Sequence, residues 1–377
     1  MKKSIIRTVL IFFAAIAIQF SSYSQFGEIG NLLSGGLTDA ELMLTEYVRP
    51  VTNGLGANLT SAWYNTADVH KLGGFHINFT ASVAFAPKDN QTFNLDDLSL
   101  SDNIRYDDPV TKTAAGTRGA GSEVWYVVNV PPPINQEREV VRYDLPGGAG
   151  TNMLPSPMIN AGVGLIKGTE IMGRYMPTIK YGKDKTNSID LWGIGIKHDL
   201  KQWIPFIKRV PVLQMSVMYG YTKLKFHSAL KAVTPEMLGV LPANDLTTAA
   251  DWDSQDLDIQ FQGHTANLLF GVNLPVVCFY GGAGIGISKA NLNLNGDFPV
   301  PAMVTQVSDP YFGQVVVRDA DVVTDPFDIE IKNQDGGTTK PRFNAGMRFK
   351  FTVITLHFDY TYANYSVATA GLGISFR

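Results

Sequence analysis

A single cysteine, Cys278, in 377 residues removes any disulfide framework within the chain. It sits in an apolar stretch (PVVCFYGG) and reads as a packed thiol, far from any site of N-terminal lipidation. No apolar run reaches the ~18 residues that would mark a membrane-crossing helix. No basic block is present to attract nucleic acid, and the net charge is −3. G-x-S-x-G is missing, so His357 and Asp359 have no marked nucleophile to serve. Gly281 to Gly286 (GGAGIG) has no helix behind it to form a phosphate loop, which leaves glycines in a strand making room for neighbours. His70 and His76 are not spaced as metal ligands. A non-enzymatic protein without metal or cofactor is expected.

Charge is scarce too, at 17%, while aromatics reach 11% and there are 36 glycines. That mixture suits sheet with tight corners. At the N-terminus, Lys2, Lys3 and Arg7 precede the apolar stretch Val9 to Phe20, followed by Ser22-Tyr23-Ser24 and Gln25. This pattern predicts a cleaved signal peptide over 1–24, the alternative being a buried N-terminal helix. Thr38-Asp39-Ala40-Glu41 reads as a capping box before Met43, Leu44 and Tyr47, which predicts a short amphipathic helix ended by Pro50. Residues 53–74 are glycine-punctuated coil and helix leading into the first strand.

From residue 75 the chain alternates. Phe75, Ile77, Phe79, Val83 and Phe85 oppose His76, Asn78, Thr80 and Ser82, as a strand with one apolar face requires. Further strands begin near 158, 170, 188, 212, 255, 276, 341, 355 and 367, with no helix of core length between them, which excludes parallel βαβ units. In the run 254–273 the apolar parity switches from Leu257, Ile259, Phe261 to Ala266, Leu268, Phe270, predicting a bulge near Gly263. Links alternate in length. Those at 166–169, 274–275 and 353–354 are short and 199–211 is longer, while 87–156, 226–253 and 293–339 are long. Short periplasmic turns opposite long extracellular loops mark an outer-membrane barrel. The expected fold is an all-β antiparallel transmembrane barrel over 73–377, with an even count of ten to fourteen strands. Extra pairs are expected at 124–130 with 139–145 and at 312–318 with 327–333. A soluble β-protein is the alternative, but these strands approach the ten or so residues that cross a bilayer.

With odd residues of the first strand facing lipid, His76 and Asn78 line the lumen, as do Glu170 and Arg174 on the third strand. A turn at Val353-Ile354, an unusual pair for that task, sets Lys350 opposite His357 and Arg348 opposite Asp359. An Arg348–Asp359 ion pair inside the barrel follows, with His357 and Glu170 as neighbours. These charges either brace a solvated lumen or bind and gate a ligand. The apolar link around Trp203, with Lys208 and Arg209, is expected to anchor in the periplasmic interface or to dock a partner. Asp319, Asp321, Asp325, Asp328 and Glu330 make one loop acidic, without the D-x-D-x-D-G order of a calcium loop.

The C-terminal stretch FDYTYANYSVATAGLGISFR resembles the closing hairpin of FadL-like proteins, the long-chain fatty-acid transporter superfamily. Its Phe376 is similar to the aromatic signal read by the barrel-assembly machinery, here followed by Arg377. LTSAWYNTADVHKLGGFHINFTASVAFAP, KGTEIMGRYMP and GIGIKHDLKQWIPFIKRVP resemble an uncharacterised family of FadL-like outer-membrane barrels. The resemblance implies a lumen plugged by the N-terminal segment, residues 25–72, and up to fourteen strands. Passive transport or binding of a small hydrophobic molecule is the expected function. The alternative is a non-conducting structural or accessory barrel in an envelope complex. Outer-membrane lipid, the assembly machinery, and a hydrophobic ligand or envelope protein are the expected partners.

Overall fold

The computed structural model describes residue 33 and residues 36–181, 185–230, 232–242, 250–332 and 337–376. The expected signal peptide over 1–24 lies outside the described residues, as do the start of the expected plug and Arg377. Ten long strands form one closed antiparallel meander. They are β1 Phe75–Phe85, β2 Met153–Gly164, β3 Thr169–Tyr181, β4 Asn187–Asp199, β5 Leu213–Ala229, β6 Asp256–Asn273, β7 Val277–Asn295, β8 Thr339–Phe351, β9 Ile354–Tyr362 and β10 Ser366–Phe376. Each pairs with the next, and β10 returns to β1 along Phe75↔Phe376 to Phe85↔Ser366. Closure leaves no open edge across the spanning region. The fold is that of an outer-membrane β-barrel.

Phe75, Ile77, Ile194, Ile196, Phe279, Phe358 and Ile374 point outward and are exposed, while His76, Asn78, Thr80 and Ser82 point inward and are buried. An apolar belt of this kind has its free-energy minimum in hydrocarbon rather than water. Above the belt the faces exchange character. Inward positions become apolar at Leu191, Leu224, Phe226, Leu257, Ile259, Phe261, Leu292 and Leu294, all buried. Outward positions there include Asp190, Lys225 and Gln260. The exchange explains the parity switch in β6, whose pairing with β5 and β7 runs without a bulge at Gly263. At 17, 18 and 19 residues, β5, β6 and β7 outrun the bilayer and continue into water, where the apolar side must turn in. Trp192 and Tyr221 meet edge to face at this boundary, 5.6 Å between centroids. The irregularity in the ladder lies in β3 between Met176 and Ile179, around Pro177, which has no N–H to donate.

The helix α1 spans Leu37–Thr60 and continues through Pro50. Burial of Tyr47, Val48, Val51 and Leu55 outweighs the ~3 kcal/mol that an interior proline costs. No capping box forms, because Gly36 is the N-cap and has no side chain to cap with. Asp39 instead accepts hydrogen bonds from the Ser101 N–H (2.8 Å) and hydroxyl (2.6 Å), tying α1 to the long loop that follows β1. The other end of α1 reaches Arg174 of β3 and Thr222 of β5 through the Leu59 carbonyl, inside the barrel. Loops cap the mouth at the end with the long connections. Glu123–Val130 pairs with Gln136–Asp144 as expected, yet in a separate small sheet with Ile104–Tyr106. The expected pairing of 312–318 with 327–333 does not form: Phe327–Ile331 extends the wall on β7, and Val315–Val317 pairs elsewhere.

The β8–β9 turn is Thr352-Val353, with Thr352 at a φ of 60° and Phe351 opposite Ile354. Arg348 therefore faces His357, Lys350 faces Thr355 and Gly346 faces Asp359. The expected Arg348–Asp359 pair is displaced by one step on each strand, a slip that leaves every side chain on its face. Acidic residues of the loop after β7 also separate. Asp321 accepts from the Arg318 N–H, Asp325 from the Gly296 N–H, and Glu330 lies 3.8 Å from Lys289. In that loop Arg318 bonds both Asp309 oxygens and holds the carboxyl below its usual range.

Tryptophan fluorescence in brominated phospholipid reads this orientation directly. Trp192 is 46% exposed on the outer face and Trp63 is 3% exposed in the lumen. Trp192→Phe should lower the quenching by lipid bromines and Trp63→Phe should leave it intact; the reverse ranking means the faces are inverted.

Candidate functional site

Between α1 and β1, residues 61–72 (SAWYNTADVHKL) run through the lower lumen and meet polar wall residues at almost every step. At the top, Arg174 donates to the carbonyls of Leu59 (3.0 Å) and Ser61 (2.8 Å). Arg342 bonds the hydroxyls of Thr265 (3.0 Å) and Ser61 (3.3 Å). The two cations sit at the carbonyl end of α1, where the helix dipole is negative. Trp63 packs under the Arg174 guanidinium, 3.8 Å from its ring centroid. Gly195 and Gly220 make room for this indole, since a Cβ at either would stand within 3 Å of the ring.

One level down, Asn160 donates to the Ala62 carbonyl (3.2 Å) and Tyr64 to the Asn344 side chain (2.6 Å). Arg348 donates to the Asn65 side-chain oxygen (3.2 Å), and the Asn65 amide faces His357 Nδ1 at 3.4 Å. Asp359 accepts from the Tyr280 hydroxyl (3.1 Å), so Arg348 and Asp359 have different partners rather than each other. Asn78 accepts from Thr355 at 3.3 Å. Ser216 and Asn273 fasten the Ala67 carbonyl (2.8 Å) and the Asp68 carboxylate (3.1 Å).

Glu170, fully buried, closes the lower end. Its Oε2 accepts from the His70 backbone N–H (3.1 Å), lies 3.1 Å from His70 Nδ1, and pairs with Lys197 at 3.2 Å. Its Oε1 is 3.3 Å from His76 Nδ1, and His70 Nε2 reaches the Ser375 hydroxyl at 3.0 Å. His70, His76 and Glu170 thus offer ligand atoms within 4.8 Å of one another, a grouping their sequence spacing did not reveal. A divalent ion there would have to compete with the Lys197 ammonium for the same carboxylate. The arrangement works as it stands as a charge-compensated clamp.

Glu170, Arg174, His76, Asn78, Arg348, His357 and Asp359 are all buried on the inner face. They do not converge on one centre but spread over three levels of the segment. Lys350 shares their face and is half-buried near the end with the short turns. Trp203, Lys208 and Arg209 are exposed on the link between β4 and β5. Sequence reasoning did not single out Asn65, Lys197, Arg342 or Tyr280, and it weighed His70 only to set it aside as a metal ligand. Lys197, Arg342 and Tyr280 were reachable from inward parity; His70 and Asn65 depended on long-range packing. The cavity between Asn65, His76, Lys197 and His357 has a volume of about 10 Å³, on the scale of one water.

Removing one member of a buried ion pair strands the other, at about 3–5 kcal/mol. Glu170→Ala should destabilise the barrel by that order, read by urea unfolding in detergent. Adding Lys197→Met to Glu170→Leu should recover much of the loss; an unchanged Glu170→Ala midpoint would falsify the clamp.

No curated protein is similar in sequence. Solved structures that resemble the chain are bacterial outer-membrane barrels. The outer membrane protease OMPT of Escherichia coli aligns with a TM-score of 0.32 and 8% identity, over 80% of this chain and 97% of that one. The translocator domain of autotransporter NalP from Neisseria meningitidis gives 0.29 and 9%, over 82% and 89%. The toluene transporter TodX of Pseudomonas putida gives 0.25 and 8%, over 80% and 89%. A family model described as a family of unknown function matches residues 1–376, and the chain belongs to that family, DUF6588.

Proposed function

We propose that this protein is a closed, non-conducting outer-membrane barrel that serves as a structural or accessory subunit of an envelope complex. The observation that carries this reading is the fastening of residues 61–72 to the wall, by Asn160, Arg174, Ser216, Arg348 and Glu170, on four different strands. Each bond satisfies a group that would otherwise lie unpaired at membrane depth, so withdrawing the segment exposes several buried charges at once. Passive transport of a small hydrophobic molecule, which the FadL-like resemblance implies, needs that withdrawal. In the closed reading the extracellular loops, not the lumen, meet the partner, and no catalytic role is assigned. Phe376 and the C-terminal strand are the part offered to the assembly machinery.

Purified protein in planar bilayers should show no steady conductance, while Glu170→Ala combined with Arg174→Ala should produce transient openings. Stable channels in the unmodified protein, or its uptake of a small hydrophobic solute into vesicles above the empty-vesicle rate, would overturn the closed reading.

A further inference from the structure

The outer wall carries a recess near its periplasmic end, with a volume of about 270 Å³. Its lining includes Leu213 of β5, Phe270 and Val272 of β6, Phe279 and Gly281 of β7, and Ile207. The recess has a simple origin. Gly281 points outward opposite Phe270, so a side chain is missing from the apolar belt at this point. Ile207 comes from the short helix α2, Pro205–Lys208, in the link between β4 and β5.

That link has its own chemistry. Trp203 and Phe206 are 68% and 77% exposed, which is unfavourable in water and favourable at a membrane interface. Lys208 and Arg209, both exposed, follow Ile207 directly in the chain. The residue that brings the link to the slot, Ile207, is therefore followed at once by two exposed cations. Buried acyl chain and headgroup phosphate are the two parts of one ligand that match them.

We propose that the wall binds one anionic glycerophospholipid of the inner leaflet here, an acyl chain in the recess and the phosphate on Lys208 and Arg209. The site depends on the barrel crossing the membrane and not on whether its lumen conducts.

Full-length protein extracted from vesicles of equal phosphatidylglycerol and phosphatidylcholine tests this by native mass spectrometry. The unmodified protein should retain one phosphatidylglycerol in preference to phosphatidylcholine. Lys208→Gln with Arg209→Gln should reduce that preference about tenfold. Val272→Trp should fill the recess and lower retention of both lipids; if it fails to fold, Leu213→Phe fills the same space from β5. Equal retention of the two lipids by the unmodified protein overturns the proposal. So does an unchanged preference in the charge variant, or full retention in a folded recess variant.

Discussion

Backbone N–H and C=O groups at bilayer depth must find partners within the protein, because hydrocarbon supplies none. For the wall, ten strands closed on themselves meet this requirement without side chains. For residues 61–72, which lie inside the wall in no regular structure, side chains have to meet it. Arg174, Asn160 and Ser216 donate to carbonyls of the segment and Glu170 accepts from its His70 N–H. The polar lumen is therefore a consequence of what fills it. Above the belt α1 satisfies its own backbone, and the wall facing it turns apolar at Leu224, Phe261 and Leu292.

Charge within the lumen follows the same rule. Arg174, Lys197, Arg342 and Arg348 are buried in the wall against two buried carboxylates, Glu170 and Asp359. Arg174 and Arg342 are balanced in part by the carbonyl end of α1, whose dipole spreads a partial negative charge over Leu59 to Ser61. Lys197 has Glu170, and Arg348 rests on the neutral oxygen of Asn65. Such groups are costly to desolvate and costly to separate, which makes the segment hard to dislodge and its position unique.

Much of the fold was legible from alternation alone, since period two reports the face of each side chain regardless of context. All ten barrel strands could be placed this way, and inward parity picked out Glu170, Arg174, Arg348, His357 and Asp359. Parity reports which side is apolar but not what medium lies beyond it. The switch in β6 therefore looked like a bulge, when the strand had merely left the membrane. Register within the β8–β9 hairpin depended on a turn at Thr352-Val353, where Thr352 holds a positive φ that its sequence does not advertise. The clamp itself was illegible: His70 and Glu170 are 100 residues apart, and Tyr64 and Asn344 are 280 apart. Pairings at that range follow from the packing of a segment that has no periodicity to read.

The direction of that segment has a consequence for how the molecule is made. Asp39 at the start of α1 is tied to the cap through Ser101, and Gly74, just before β1, bonds Lys71 at the opposite mouth. The chain thus passes lengthwise through its own barrel, entering at the capped end and leaving where β1 begins. The seam between β1 and β10, joined inside by Ser82 and Thr369, begins directly after that thread. The strand that completes the ring is thus tethered to the segment that fills it, so filling and closure are neighbours in the chain.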